Sequence, residues 1–333
     1  LLTILVTGAA GLIGGEVCAR LAKRGHRMIG MVRRTPDIRG NDGAPVNGVT
    51  VVAGDVRQPL MGLEPAAFDL VIHCAASLEF DAPQEELSAV NVEGTRNAMD
   101  FAKAAEAGFL HVSTAYVCGQ RDGPIAEGPV PEGTRFTNRY EASKAAGERV
   151  IEEGGTAFAI ARPSIVLGDS ATGRIRQFPS LCNVFRLMAR GKVTRFPAAG
   201  TASLDLVPID HVAASIVALA ERFDAAAGGH YHLVAADPLP AAELAHGVAR
   251  AAHLPDPVVV RPADYDPAAL SPAERLLAGR MLATFGPYFT RSPRFDDTRL
   301  REVTGLSCPA TDNAWLDRLI AYGVERGYLP QPA

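Results

Sequence analysis

An α/β fold, a Rossmann-type doubly wound parallel sheet with a smaller, mostly helical C-terminal lobe, follows from three features of the chain. Short apolar strand-like runs alternate with helical stretches through the first two thirds of the sequence, the rhythm of strand–helix–strand units. The first run leads at once into a glycine-rich turn and a helix, as dinucleotide-binding sheets begin. Past residue 235 the alternation gives way to proline-rich sequence and short helices.

Taken in order, Leu2–Thr7 reads as a buried strand, Gly8 to Gly14 as the turn, and the residues up to about Arg24 as a helix. His26–Val32, Val49–Ala53 and Phe68–His73 supply three more strands. Helices are expected near 85–107 and 139–153, alternating with strands at Phe109–Ser113 and Ala157–Ala161. After Pro163 the rhythm breaks, then resumes with Leu204–Val207, a helix from about His211 and a strand at His230–Val234. Ala241–Arg250 and Asn313–Tyr322 are the clearest amphipathic segments beyond. The expected organisation is a dinucleotide-binding domain from 1–165 and 206–235, with 166–205 and 236–333 forming a substrate-binding lobe.

With 333 residues, 47% hydrophobic and 21% charged, the chain can bury a large core. A formal charge of −4 provides no basic footprint for nucleic acid. The five cysteines stand singly, which suggests neither a zinc site nor a disulfide framework, and a reducing, cytoplasmic setting fits best. No apolar run reaches the roughly 20 residues of a membrane span, and no signal peptide can be read. Spacing among the eight histidines suggests no metal.

Gly8, Gly11 and Gly14 allow a tight turn and close approach of a pyrophosphate, while the helix opening at Leu12 and Ile13 aims its amide donors at the phosphates. At the end of the second strand stand Arg33 and Arg34, where an acidic residue would bind a ribose 2′-hydroxyl. Two guanidinium groups there favour a 2′-phosphate, hence NADPH (NADP+) over NADH. Asp55, next to Val56 after the third strand, either accepts from an adenine amino group or caps its own loop.

Tyr140 and Lys144 lie four apart on one helix face, so an ammonium near the phenol would lower its pKa and make a metal-free acid–base centre. Thr114, at the end of the fifth strand, is placed to hydrogen-bond a substrate carbonyl oxygen. Phe80 and Tyr116 either line an apolar pocket or belong to ordinary packing. Arg174 and Arg176 follow the sixth strand, and could bind a pantetheine phosphate or a carboxylate, with a solvated loop as the alternative. His73 and His111 read as satisfied structural residues.

With the glycine turn, Thr114 and Tyr140/Lys144 in this order, the chain resembles the extended short-chain dehydrogenase/reductase family over residues 3 to about 235. The resemblance implies that Tyr140 exchanges the proton, that Lys144 lowers its pKa and binds the nicotinamide ribose, and that Thr114 fills the family's hydroxyl role. It also implies that Asn91 supports a water-linked proton path, a buried hydrogen bond being the alternative. Ala75 and Ala76 match small residues beneath the cofactor, and Pro163, Ser164 and Ile165 match the segment beside the nicotinamide. Longer phrases, Ala75–Asp81, Ser113–Val117, Tyr140–Lys144 and Arg162–Ser170, are similar to the fatty acyl-CoA reductase and carrier-protein thioester reductase branch.

That likeness implies NADPH-dependent reduction of a carbonyl substrate, an acyl thioester on CoA or a carrier protein, to aldehyde or alcohol. A ketone or aldehyde reductase and a hydroxysteroid-type alcohol dehydrogenase need the same residues. A sugar-nucleotide epimerase or dehydratase, which usually has an acidic residue after the second strand, and a non-catalytic NADP-sensing protein are further alternatives. Many relatives pair through the helices at 85–107 and 139–153, so the resemblance allows a homodimer.

Overall fold

The computed structural model describes the chain except residues 81, 192, 252, 267, 269, 270, 332 and 333; Asp81, at the end of one motif phrase, therefore lies outside the described residues. Seven strands, β1 (Thr3–Thr7), β2 (Arg27–Val32), β3 (Val49–Ala53), β4 (Leu70–His73), β5 (Gly108–Val112), β6 (Phe158–Pro163) and β7 (Gly229–Leu233), form one parallel sheet. Their order is β7-β6-β5-β4-β1-β2-β3. The chain leaves β1 towards β2 and returns to β4 on its other side, so the topological switch falls between β1 and β4, where such sheets bind ligands.

Alternation along each strand sorts side chains to two faces. Ile4 and Val6 of β1 join Ile72 and Leu110 under the helices α1 (Leu12–Lys23) and α6 (Ile209–Glu221). Leu5, Val71, Phe109 and Ile160 point the other way, under α3 (Glu93–Ala104) and α4 (Arg139–Glu153). A third cluster joins α5 (Cys182–Ala189) to the helices Ala241–Ala251 and Asn313–Glu325 around the fully buried Trp315. Its indole Nε1 donates to the Gly168 carbonyl at 3.1 Å.

Two expected elements are divided. The helix expected over 85–107 breaks at Val92 (φ −109°, ψ −65°) into α2 (Gln84–Asn91) and α3. The strand expected at Leu204–Val207 is interrupted by Asp205, whose side chain accepts from the Ser164 hydroxyl and the Ala235 amide instead of solvent. In both places polar contacts to distant residues override a continuous local pattern. No helix among the described residues is long and apolar enough to cross a membrane.

Candidate active site

The glycine turn joins β1 to α1 at the switch point. Gly8 has φ +65°, and a Cβ there would come within 2.7 Å of the Ala75 amide nitrogen. A Cβ on Gly14 would run into the Gly8 carbonyl. The turn therefore lies directly against the loop after β4, and the Ala75 amide donates to Thr7 Oγ1 at 3.2 Å. α1 starts at Gly11 with no side-chain cap and no acidic residue in its first turn, leaving its amide donors open to an anion. Leu12 packs towards the C-terminal core and Ile13 towards the sheet, which fixes the helix beneath the turn.

Arg33 and Arg34 are exposed beyond β2, and neither forms an ion pair among the described residues. Asp55 has a different occupation. It accepts from the Arg57 backbone amide and side chain, which holds its carboxyl down at about 2. Of the two readings for Asp55, the loop cap is the one this structure displays. Val56 is buried against Gly94 of α3.

Asn138 caps α4, accepting from the Glu141 amide at 2.9 Å, and so places Tyr140 in the first turn. The half-buried Tyr140 lies close enough to Thr114 for that hydroxyl to influence its phenol. Its ring leans on Phe80 with centroids 5.2 Å apart. Burial raises the phenol above its ordinary value, the adjacent Glu141 adds to this, and Thr114 opposes it.

Lys144 lies on the same helix, but its amine is turned to the sheet edge: Nζ donates to the Val112 carbonyl at 2.9 Å and meets His111 Nε2 at 3.1 Å. Among the described residues, Lys144 Nζ makes no hydrogen bond to the Tyr140 hydroxyl. Desolvation of the phenol outweighs any effect of the amine in this arrangement. Lys144 is itself lowered to about 8 by burial, with Glu148 and Cys74 opposing.

Asn91 is buried and hydrogen-bonded to other elements. Its Oδ1 accepts from the Ser77 amide at 2.8 Å, and its Nδ2 donates to the Ser77 carbonyl and to Ser143 Oγ. Both donors of the amide are occupied, so Asn91 ties the loop after β4 to α4. Ala76 lies in that loop. Pro163 ends β6, Ser164 and Ile165 follow it at the same sheet edge, and Ser164 Oγ donates to Asp205 Oδ1 at 2.5 Å. Burial raises Asp205 to about 7. Sequence reasoning missed Asp205, although an acid inside the apolar run Leu204–Val207 was a visible signal.

The C-terminal segment closes over α4. Tyr288 donates to Glu141 Oε1 at 2.7 Å and accepts from Asn138 Nδ2 at 2.9 Å. The buried Arg291 donates to the Gly119 carbonyl, and its guanidinium lies 5.7 Å from the Tyr116 ring centroid and 5.3 Å from that of Tyr288. Tyr116, enclosed by Tyr288, Phe295 and Arg291, belongs to packing rather than to an open pocket. Phe80 instead faces Tyr140 and also meets Phe285, at 6.3 Å, from the helix Pro272–Phe285. Only Asn138-x-x-Glu141, a helix-start pattern, could have pointed to this closure.

Arg174 is not gathered with these groups. It is exposed and lines a groove on the flank of α1 with Glu16, Arg20, Lys23, Asn41 and Asp42. Arg176, two residues on, reaches the glycine turn and donates to the carbonyls of Ala10 at 3.2 Å and Gly11 at 2.7 Å.

Residues 6–216 match the family described as male sterility protein. The dTDP-4-dehydrorhamnose reductase of Mycolicibacterium smegmatis is 31% identical over 153 residues, 44% of this chain and 41% of that protein. The 2-alkyl-3-oxoalkanoate reductase of Stenotrophomonas maltophilia is 29% identical over 265 residues, 76% of each. This chain thus spans well under half of the first relative's length. Among solved structures, the terminal R domain of the myxalamid PKS-NRPS biosynthetic pathway aligns with a TM-score of 0.81 at 26% identity, over 99% of this chain and 92% of that one.

Proposed function

Because the chain belongs to the male sterility protein family of extended short-chain dehydrogenase/reductases, and is an NAD(P)-dependent reductase, we propose that it reduces an acyl thioester with NADPH, releasing an aldehyde. The observation that carries this reading is the approach of the Thr114 and Tyr140 hydroxyls at the carboxyl edge of β5, with the Lys144 amine buried behind them. The likeness to a PKS-NRPS terminal R domain supports an acyl chain delivered on a carrier protein or on CoA.

The residues of the glycine turn fit a dinucleotide: the space a Cβ would fill at Gly8 and Gly14 is closed by backbone, and the first turn of α1 is uncapped. Arg33 and Arg34 would hold a 2′-phosphate, which favours NADPH. The bound cofactor supplies the hydride.

As negative charge gathers on the thioester oxygen, the Thr114 and Tyr140 hydroxyls donate hydrogen bonds to it. Tyr140 carries its proton at neutral pH, so it is a donor when reduction begins. It gives that proton to the oxygen, then takes it back as the carbon–sulfur bond breaks; thiolate leaves and is protonated from solvent. Phe80 and Phe285 offer an apolar wall beside Tyr140 for the acyl chain.

A second reading, reduction of a ketone, rests on the 29% identity to 2-alkyl-3-oxoalkanoate reductase across 76% of both chains. Tyr140 would then protonate the alkoxide and no bond to sulfur would break. The deciding experiment follows oxidation of NADPH, and of NADH beside it, with acyl-CoA and phosphopantetheinyl thioesters, aldehydes and β-keto acids. Turnover of thioesters with release of free thiol is expected. Turnover of β-keto acids alone would replace this reading with the second, and no turnover of any carbonyl compound would overturn both.

A further inference from the structure

Behind Tyr140 a buried imidazole is bonded directly to the Lys144 amine. His111 has no exposed surface, packs against the rings of His73 and Phe109, and presents Nε2 to Lys144 Nζ at 3.1 Å. His73 and His111 differ in one respect. His73 meets a hydroxyl at each ring nitrogen, Thr7 at 2.8 Å and Thr95 at 3.4 Å. His111 is bonded only on the side of the catalytic amine, and its Nδ1 has no hydrogen-bond partner among the described residues.

An ammonium donates and cannot accept, so with Lys144 charged His111 is neutral, its Nε2 is the acceptor and its proton sits on Nδ1. Leaving that N–H unpaired in the interior costs stability, and the matching gain is the bond to Lys144. The Asn91 amide, bonded to Ser77 and Ser143, has no donor or acceptor contact with Lys144. The titratable neighbours of His111 are Lys144 from α4 and His73 from β4, while Glu148 and Cys74 act on Lys144 itself.

We propose that His111 is a positioning residue for the reduction: its neutral imidazole and the Val112 carbonyl engage two N–H groups of Lys144, leaving the third for the cofactor ribose or Tyr140. The proposal rests on Lys144 being catalytic. It assigns the strand residue three before Thr114 a task that composition and spacing did not suggest.

The test compares His111→Gln, whose amide oxygen can reach the same amine, with the shorter His111→Asn and the apolar His111→Met, all in the full chain. His111→Met and His111→Asn are expected to lower kcat roughly 10-fold and weaken NADP+ binding, read by calorimetry, by about 5-fold, as loss of one charge-assisted bond would. Removing the acceptor disfavours the ammonium, so the alkaline limb of the rate profile should move to lower pH. His111→Gln should restore kcat to within about 3-fold. A lower melting temperature with kcat, pH limb and NADP+ affinity all unchanged would overturn the proposal. If His111→Met does not fold, equal activity of the Gln and Asn variants would overturn it in the same way. Near-normal turnover of Lys144→Met would instead remove the catalytic reading of Lys144, an outcome distinct from any of these.

Discussion

At Tyr140 burial pushes the phenol above its ordinary value, with Glu141 adding to this and Thr114 opposing it. The phenol carries its proton at neutral pH, as an ordinary phenol does, and has it available to donate. Tyr140→Phe should cut turnover at least ~10²-fold, the loss expected for a positioned acid. The ring and its contact with Phe80 would remain, so NADPH binding by fluorescence titration should be unchanged. Lys144, lowered to about 8, is mainly ammonium below that pH and neutral above it. The rate constant kcat/KM should therefore fall as pH rises through about 8, and a profile that stays flat well beyond it would contradict a need for the charged amine. Arg33→Ala combined with Arg34→Ala should raise the KM for NADPH about 10- to 100-fold while changing that for NADH less than about 3-fold, since only the 2′-phosphate contacts are lost.

Helix α4 holds Tyr140 and Lys144, and its start depends on Asn138. Removing that cap with Asn138→Ala should cost about 1–2 kcal/mol in chemical denaturation, because the Glu141 amide loses its acceptor and Tyr288 loses a donor. The limits Arg139–Glu153 were legible in the sequence, as were the strands to within a few residues, because side-chain periodicity is a local property. The division of the helix at Val92 was not. Asn91 makes its bonds to Ser77, 14 residues before it, and to Ser143, 52 residues after it. Tyr288 and Arg291 escaped notice for the same reason: Tyr288 meets Glu141 across 147 positions of chain.

Across the whole molecule, the contact between the sheet and the third core carries a buried acid. Asp205 rises from an ordinary value of 3.8 to about 7. The folded state thus binds a proton that the unfolded chain releases, so this residue's contribution to stability is present below about 4 and is lost as pH rises towards 7. Asp205→Asn should flatten that part of the pH–stability curve by a few kcal/mol, measured by urea unfolding at a series of pH values. An unchanged slope would mean that Asp205 does not titrate in this window.

The sequence by itself determined the parallel sheet, the glycine turn, the two arginines after β2 and the presence of Tyr140 and Lys144 on one helix, since each is encoded by residues near one another in the chain. Only the tertiary structure decided that the Lys144 amine turns to His111, that Asp55 is held by Arg57, that Asn91 is a tie between elements, and that burial raises the Tyr140 phenol. Apart from Asp55, those outcomes depend on partners brought from other elements and on the exclusion of water around them. Desolvation is a property of the packed interior, and no local pattern of residues specifies it.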